Sequence, residues 1–183
     1  MKKLFVFVMS FVLFAAFVEA KEVSGVNMPD QYQIGKTVLT LNGAGARRKF
    51  IFIKVYVGGL YLEKKTSKPA DVLKQKIKVI RMHFTYSHVS GKKIRDAFKD
   101  DLERVAPNVL KSEAGKQFLN VFNFNVKSGD NIDLLFDNDT LSVLYNLKRV
   151  GSIKSKKLVD AVVNIYIGDK PAQESLKEAL LGK

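Results

Sequence analysis

Apolar and polar positions alternate along the first half of the chain and take helical spacing later. Residues 36–41 alternate as a strand, and a longer apolar stretch, 50–62, follows the small-residue segment Asn42-Gly43-Ala44-Gly45. Residues 50–57 are β-branched and aromatic, without the i, i+3, i+4 spacing of an amphipathic helix, which predicts a central strand covered on both faces. The Gly43 and Gly45 segment predicts a turn ahead of it, and Gly58-Gly59 a bulge or bend within it. Residues 64–69 are a polar connection. Residues 76–86 alternate again, with Ile80, Met82, Phe84 and Tyr86 on one face and Ile77, Val79, Arg81, His83 and Thr85 on the other.

Helical periodicity then takes over. Ser90 can cap a helix whose apolar stripe is Ile94, Ala97, Phe98, Leu102 and Val105, ending at Pro107. A second helix over 112–123 buries Ala114, Phe118, Leu119 and Phe122, completing a helical hairpin against the sheet. Residues 132–136 and 141–147 alternate as strands around Asp137-Asn138-Asp139-Thr140, a hairpin signal. Ser155 can cap a third helix carrying Leu158, Ala161, Val162 and Ile165, Gly168 ends it, and 172–181 forms a last short helix. The order is α+β with antiparallel pairing, because strands and helices cluster instead of alternating as βαβ units.

Composition adds three constraints. At 183 residues with 46% hydrophobic content, the chain suits one globular domain over 21–183. Residues 1–20 differ in character: Lys2 and Lys3 precede the apolar run 4–18, and Val18 and Ala20 are placed for signal-peptidase cleavage, so export to the periplasm or outside is expected. There are no cysteines, which removes disulfides, thiol nucleophiles and thiolate metal sites. The net charge of +13 favours anionic partners. An exported protein does not meet nucleic acid, which leaves acidic small molecules and anionic membrane, for which Lys64, Lys65, Lys68, Lys154, Lys156 and Lys157 are candidate contacts.

The segments Gly43-Ala44-Gly45-Ala46-Arg47-Arg48 and Phe52-Ile53-Lys54-Val55-Tyr56-Val57-Gly58-Gly59-Leu60-Tyr61-Leu62-Glu63 resemble the signature of the chalcone isomerase family. Plant members carry a Gly-Ala-Gly-x-Arg turn leading into Phe-Ile-Lys-Phe-Thr-x-x-Gly-Val-Tyr-Leu-Glu. The chain looks most like the short exported bacterial branch of that superfamily, with a weaker likeness at 78–104 and 158–181. The resemblance implies the family's open-faced β-sandwich, an antiparallel sheet with helices on one side and a ligand cleft between them.

By the same resemblance, Arg47 matches the arginine that holds the substrate's phenolate in the plant enzymes. A guanidinium suits that role, because its fork of donors is matched to an oxyanion and gains strength as water is excluded. Tyr56 stands where the plant motif has threonine, and its bulk fills space where the plant enzymes' substrate lies. Tyr86 is the candidate for the family's site tyrosine, with a solvent-facing sheet tyrosine as the other reading; 87–104 contains no asparagine to match the family's substrate-contacting one. Other members of the superfamily bind fatty acids through an arginine and a tyrosine. Here Arg47, Arg81, Tyr56 and Tyr86 are expected at the polar end of a cleft lined by Phe50, Phe52 and Phe84, with Arg47, Tyr56 and Tyr86 the catalytic set if ring closure occurs.

Other chemistries leave fainter traces. Gly43-Ala44-Gly45 lacks the third glycine and the following helix of a dinucleotide turn. His83 and His88 are the only histidines, with odd spacing and no acidic residue between them, so neither a metal nor a cofactor is expected. Three classes of function are carried forward: a binder of a small amphipathic acid, fatty-acid-like or phenolic; an intramolecular lyase of the chalcone isomerase type; and a basic envelope protein acting through membrane or protein contact.

Overall fold

A computed structural model describes residues 20–50 and 52–183; the export signal predicted over 1–20 falls almost wholly outside them. In chain order the elements are β1 (Ala20–Val23), β2 (Val26–Pro29), β3 (Gln31–Ile34), β4 (Thr37–Lys49), β5 (Ile53–Leu62), α1 (Pro69–Lys74), β6 (Ile77–Phe84) and β7 (His88–Val89). There follow α2 (Gly91–Val105), α3 (Pro107–Lys111), α4 (Glu113–Val121), β8 (Val126–Lys127), β9 (Asn131–Asp137), β10 (Thr140–Tyr145), β11 (Lys148–Lys154), α5 (Lys156–Ile167) and α6 (Glu174–Leu180). Seven of the strands form one curled antiparallel sheet in the order β11-β10-β9-β6-β5-β4-β3, with α2, α4, α5 and α6 on one side.

Alternation along β5 and β6 sorts the two faces. Leu60, Leu62, Ile80, Met82 and Phe84 point to the helices, where Phe98 of α2 meets Phe118 and Phe122 with ring centroids 5.0 and 4.9 Å away. Val57, Tyr61 and Val79 point the other way, into a smaller core with Leu39, Leu41, Tyr32 and Met28, the last delivered by the β1–β2 hairpin. The expected caps are present: Ser90 Oγ accepts from the Lys93 amide and Ser155 Oγ from the Leu158 amide, both at 3.3 Å.

The glycine segment is where local reading fails. Residues 42–45 are not a turn but the middle of β4, and the turn residues are Phe50 and Phe52, where the sequence predicts continuous strand. Glycine is required at 43 and 45 because α6 packs directly on them. A Cβ at Gly43 would sit 2.1 Å from the Ala179 carbonyl oxygen, and one at Gly45 would sit 2.5 Å from the Ala179 Cβ. Gly58 and Gly59 pair regularly with Gly45 and Ala44; the register shifts fall instead beside Asn42 and between Arg47 and Arg48.

The strand β11 has no counterpart in the sequence reading. Five of its seven residues, Lys148 through Val150, Ser152 and Lys154, are exposed, so an edge strand of this kind shows no apolar alternation.

Candidate functional site

The β4–β5 hairpin is longer than the strand beside it. The last residue of β5 paired with β6 is Tyr56, opposite Phe84; beyond that pair the Val55 carbonyl still accepts from the Thr85 and Tyr86 amides, and the hairpin then overhangs to its tip at Phe50 and Phe52. Arg47 pairs with Tyr56 and Arg48 with Lys54, leaving Val55 as the extra residue of a bulge, so Val55 and Tyr56 both face the same space. That space is a cleft of about 800 Å³ between the overhanging hairpin, the end of β6 and helix α2. Its apolar walls are Ile53, Val55, Met82, Phe84, Ile94 and Phe98.

The polar groups gather at one region of it. Arg47 is half-buried, and its Nη1 donates to Gln173 Oε1 at 3.2 Å, just ahead of α6. Burial pushes the Tyr56 phenol up to about 12, opposed by the Arg47 charge and by the neighbouring Tyr166 phenol. Tyr166, on α5, is driven well above the ordinary tyrosine value by burial and by Tyr56; its hydroxyl donates to Met82 Sδ at 3.3 Å. Both phenols therefore remain protonated donors at neutral pH. On α2, burial raises the Asp101 carboxyl, while Arg104, 2.7 Å away, and Arg47 pull it down. Asp101 thus pairs with Arg104 and lies near enough to Arg47 to feel its charge. A guanidinium and two neutral phenols at one end of an apolar cleft can hold an oxyanion and leave its hydrocarbon among the walls.

Of the residues singled out in the sequence, Arg47, Tyr56, Tyr86, Phe50 and Phe84 all border this cleft. Tyr86 and Phe50 stand at its mouth, 41% and 77% exposed. Phe52 does not line it; it is 86% exposed at the hairpin tip. Arg81 is excluded outright, because strand alternation puts it on the opposite face from Met82 and Phe84. There its Nε and Nη2 donate to Asp133 at 2.7 and 2.9 Å, and its guanidinium carbon stacks 4.8 Å from the Tyr32 ring centre. Tyr32 donates to the same carboxylate at 2.8 Å, which makes this a closed structural network. Tyr61 beside it keeps a buried hydroxyl with no protein partner.

Sequence reasoning missed Tyr166, Asp101, Arg104 and Gln173. Tyr166 could have been found as the one phenol on the otherwise apolar face of α5. The others carry no local signal, since they meet Arg47 only through folding.

The family model described as "Chalcone isomerase-like" matches residues 20–182. Among curated proteins the chain is similar to "Fatty-acid-binding protein 1" of Arabidopsis thaliana, 27% identical over a 177-residue alignment covering 77% of this chain and 62% of that protein. The chain therefore spans about three fifths of that relative's length. Among solved structures it resembles the crystal structure of an Arabidopsis thaliana fatty-acid binding protein, with a TM-score of 0.67, 23% identity, and coverage of 86% of this chain and 92% of the other. That likeness is one of fold.

Proposed function

This chain belongs to the chalcone isomerase-like family, and on that footing we propose that it binds a small amphipathic acid, fatty-acid-like or phenolic, with Arg47 at the polar end of the cleft. The observation that carries the reading is the meeting of Arg47 with Tyr56 and Tyr166 beside walls made of Met82, Phe84, Ile94 and Phe98. The relative named for fatty-acid binding points the same way. Ten buried methylenes at about 0.8 kcal/mol each offer roughly 8 kcal/mol before binding costs, whereas a charge-assisted hydrogen bond nets about 1.5–3 kcal/mol. The tail sets affinity and the arginine sets orientation.

Calorimetry with a long-chain fatty acid and its methyl ester tests this. The acid should bind and the ester bind more weakly. Equal binding would remove Arg47 from the role, and no binding of either, with no lipid co-purifying by mass spectrometry, would end the proposal.

Ring closure of a chalcone is the second reading, favoured by the same pair: a guanidinium beside a protonated Tyr56 can stabilise a developing oxyanion. Loss of chalcone absorbance on adding protein, abolished in Arg47→Ala, is its test. Export to the periplasm with cleavage near Ala20, and peripheral contact with an anionic membrane, complete the reading. N-terminal sequencing of protein from its native host checks the cleavage.

A further inference from the structure

Seven large apolar side chains among the described residues are exposed; three of them, Phe50, Ile53 and Tyr86, border the cleft, and a fourth, Phe52, stands at the hairpin tip two residues from Phe50. Phe50 and Phe52 are 77% and 86% exposed at the tip of the overhanging β4–β5 hairpin. Local physics argues against aromatic residues there. Phe50 has φ of 55°, the left-handed region that glycine, asparagine and aspartate fill at little cost in hairpin turns, yet phenylalanine occupies it with its ring largely in solvent and the Lys49 ammonium 5.9 Å over it. A side chain held against turn preference and left in water has a partner elsewhere.

Charge names the partner. Arg48 and Lys49, both exposed, precede the two rings and Lys54 follows them, and no acidic residue occurs anywhere from Gln31 to Leu62. Aromatic rings on a narrow tip, ringed by cations, fit the headgroup boundary of an anionic bilayer, where rings enter the acyl margin and cations stay among phosphates. The acidic side chains lining the cleft, Asp96, Asp100 and Asp101, sit on α2, the opposite lip, where Lys93 and Arg104 line it as well.

We propose that the β4–β5 hairpin tip, through Phe50, Phe52 and their flanking cations, docks the protein on anionic phospholipid and brings the mouth of the cleft to the headgroup layer. This displaces the lysines that sequence alone nominated. Lys64, Lys65, Lys68, Lys154, Lys156 and Lys157 lie at the other end of the sheet, where Val38 is the exposed large apolar side chain. Docking is separate from acid binding, and its test reads the tip whether or not the cleft takes a ligand.

The chain contains no tryptophan, so single substitutions give clean reporters. Phe52→Trp and Val38→Trp in the full chain are mixed with vesicles of phosphatidylglycerol and phosphatidylcholine, plain or brominated. The indole at 52 should shift to the blue and be quenched by brominated acyl chains, while that at 38 does neither. Adding Arg48→Glu and Lys49→Glu to Phe52→Trp should lower partition by about tenfold or more, and added salt should weaken it as well. A response at 38 instead of 52 would move docking to the lysine-rich end and overturn the proposal. So would two unresponsive indoles, the result if vesicles are held only through residues 4–18. Equal response to pure phosphatidylcholine would overturn the anionic requirement, and a concentration-dependent blue shift without vesicles would assign the tip to a second copy of the chain.

Discussion

Gln173 joins Arg47 to the C-terminal helix: its Oε1 accepts from Arg47 Nη1 at 3.2 Å and from the Arg48 amide at 2.9 Å, while its Nε2 donates to the Ala46 carbonyl at 3.2 Å. One amide thus fixes three consecutive residues of β4 and turns the guanidinium along the cleft. Because the backbone is held independently, Arg47→Ala removes the charge without freeing the strand. Affinity for a long-chain acid should fall by about 1.5–3 kcal/mol, roughly ten- to a hundred-fold, with thermal stability nearly unchanged. Calorimetry and a melting curve on the same preparation check both halves.

Gly43→Ala should destabilise the fold by about 1–3 kcal/mol, since the new methyl meets two backbone oxygens, of Ala179 at 2.1 Å and of Leu180 at 2.8 Å, that no rotamer can move aside. Gly58→Ala is the contrast. Its Cβ would come no closer than 3.4 Å, to the tip of the Leu176 side chain, and its cost should stay within about 1 kcal/mol, the two being compared by urea unfolding.

Alkaline pH should unfold the protein through its buried phenols. The Tyr56 hydroxyl lies at about 12 in the folded chain against an ordinary value of 10.0, so between those values the unfolded chain has released a proton that the folded chain retains. Its contribution is complete below pH 10, is lost as pH rises through about 12, and amounts to about 2–3 kcal/mol. Denaturant unfolding from pH 9 to 12 should show a shallower decline in Tyr56→Phe than in the parent.

On the far face of the sheet, Asp133→Ala leaves the largely buried Arg81 guanidinium and the Tyr32 hydroxyl without their shared acceptor. Such uncompensated burial costs about 3–5 kcal/mol. Acid affinity of the molecules that remain folded should not change, because the pair lies across the sheet from the cleft. A loss of affinity in Asp133→Ala at temperatures well below its melting point would return Arg81 to the binding site.

Much of the fold is legible in local pattern, and the reasons differ by element. The stripe of α2 and its Ser90 cap depend on side chains within a turn of one another, as does the hairpin at 137–140. The alternation of β6 already placed Arg81 on the face opposite Phe84; assigning both to one cleft overrode that pattern, and the ion pair with Asp133 shows the alternation was the better guide. The glycines of β4 could not be read locally, because what demands them is α6, more than 130 residues further on. Aromatic residues at 50 and 52 imitate a strand, since strand preference reflects packing that these exposed rings do not have. Within the cleft, Arg47 and Tyr56 were visible through a family signature, whereas Tyr166 and Asp101 reach the site from separate helices.

The absent side chains of Gly43 and Gly45 have a consequence for the cleft. They let α6 settle against the strand, and Gln173, the residue that leads into α6, anchors the hairpin that forms one jaw. A single methyl at either position would push α6 off the strand, so the seat from which Gln173 reaches the hairpin depends on two hydrogens.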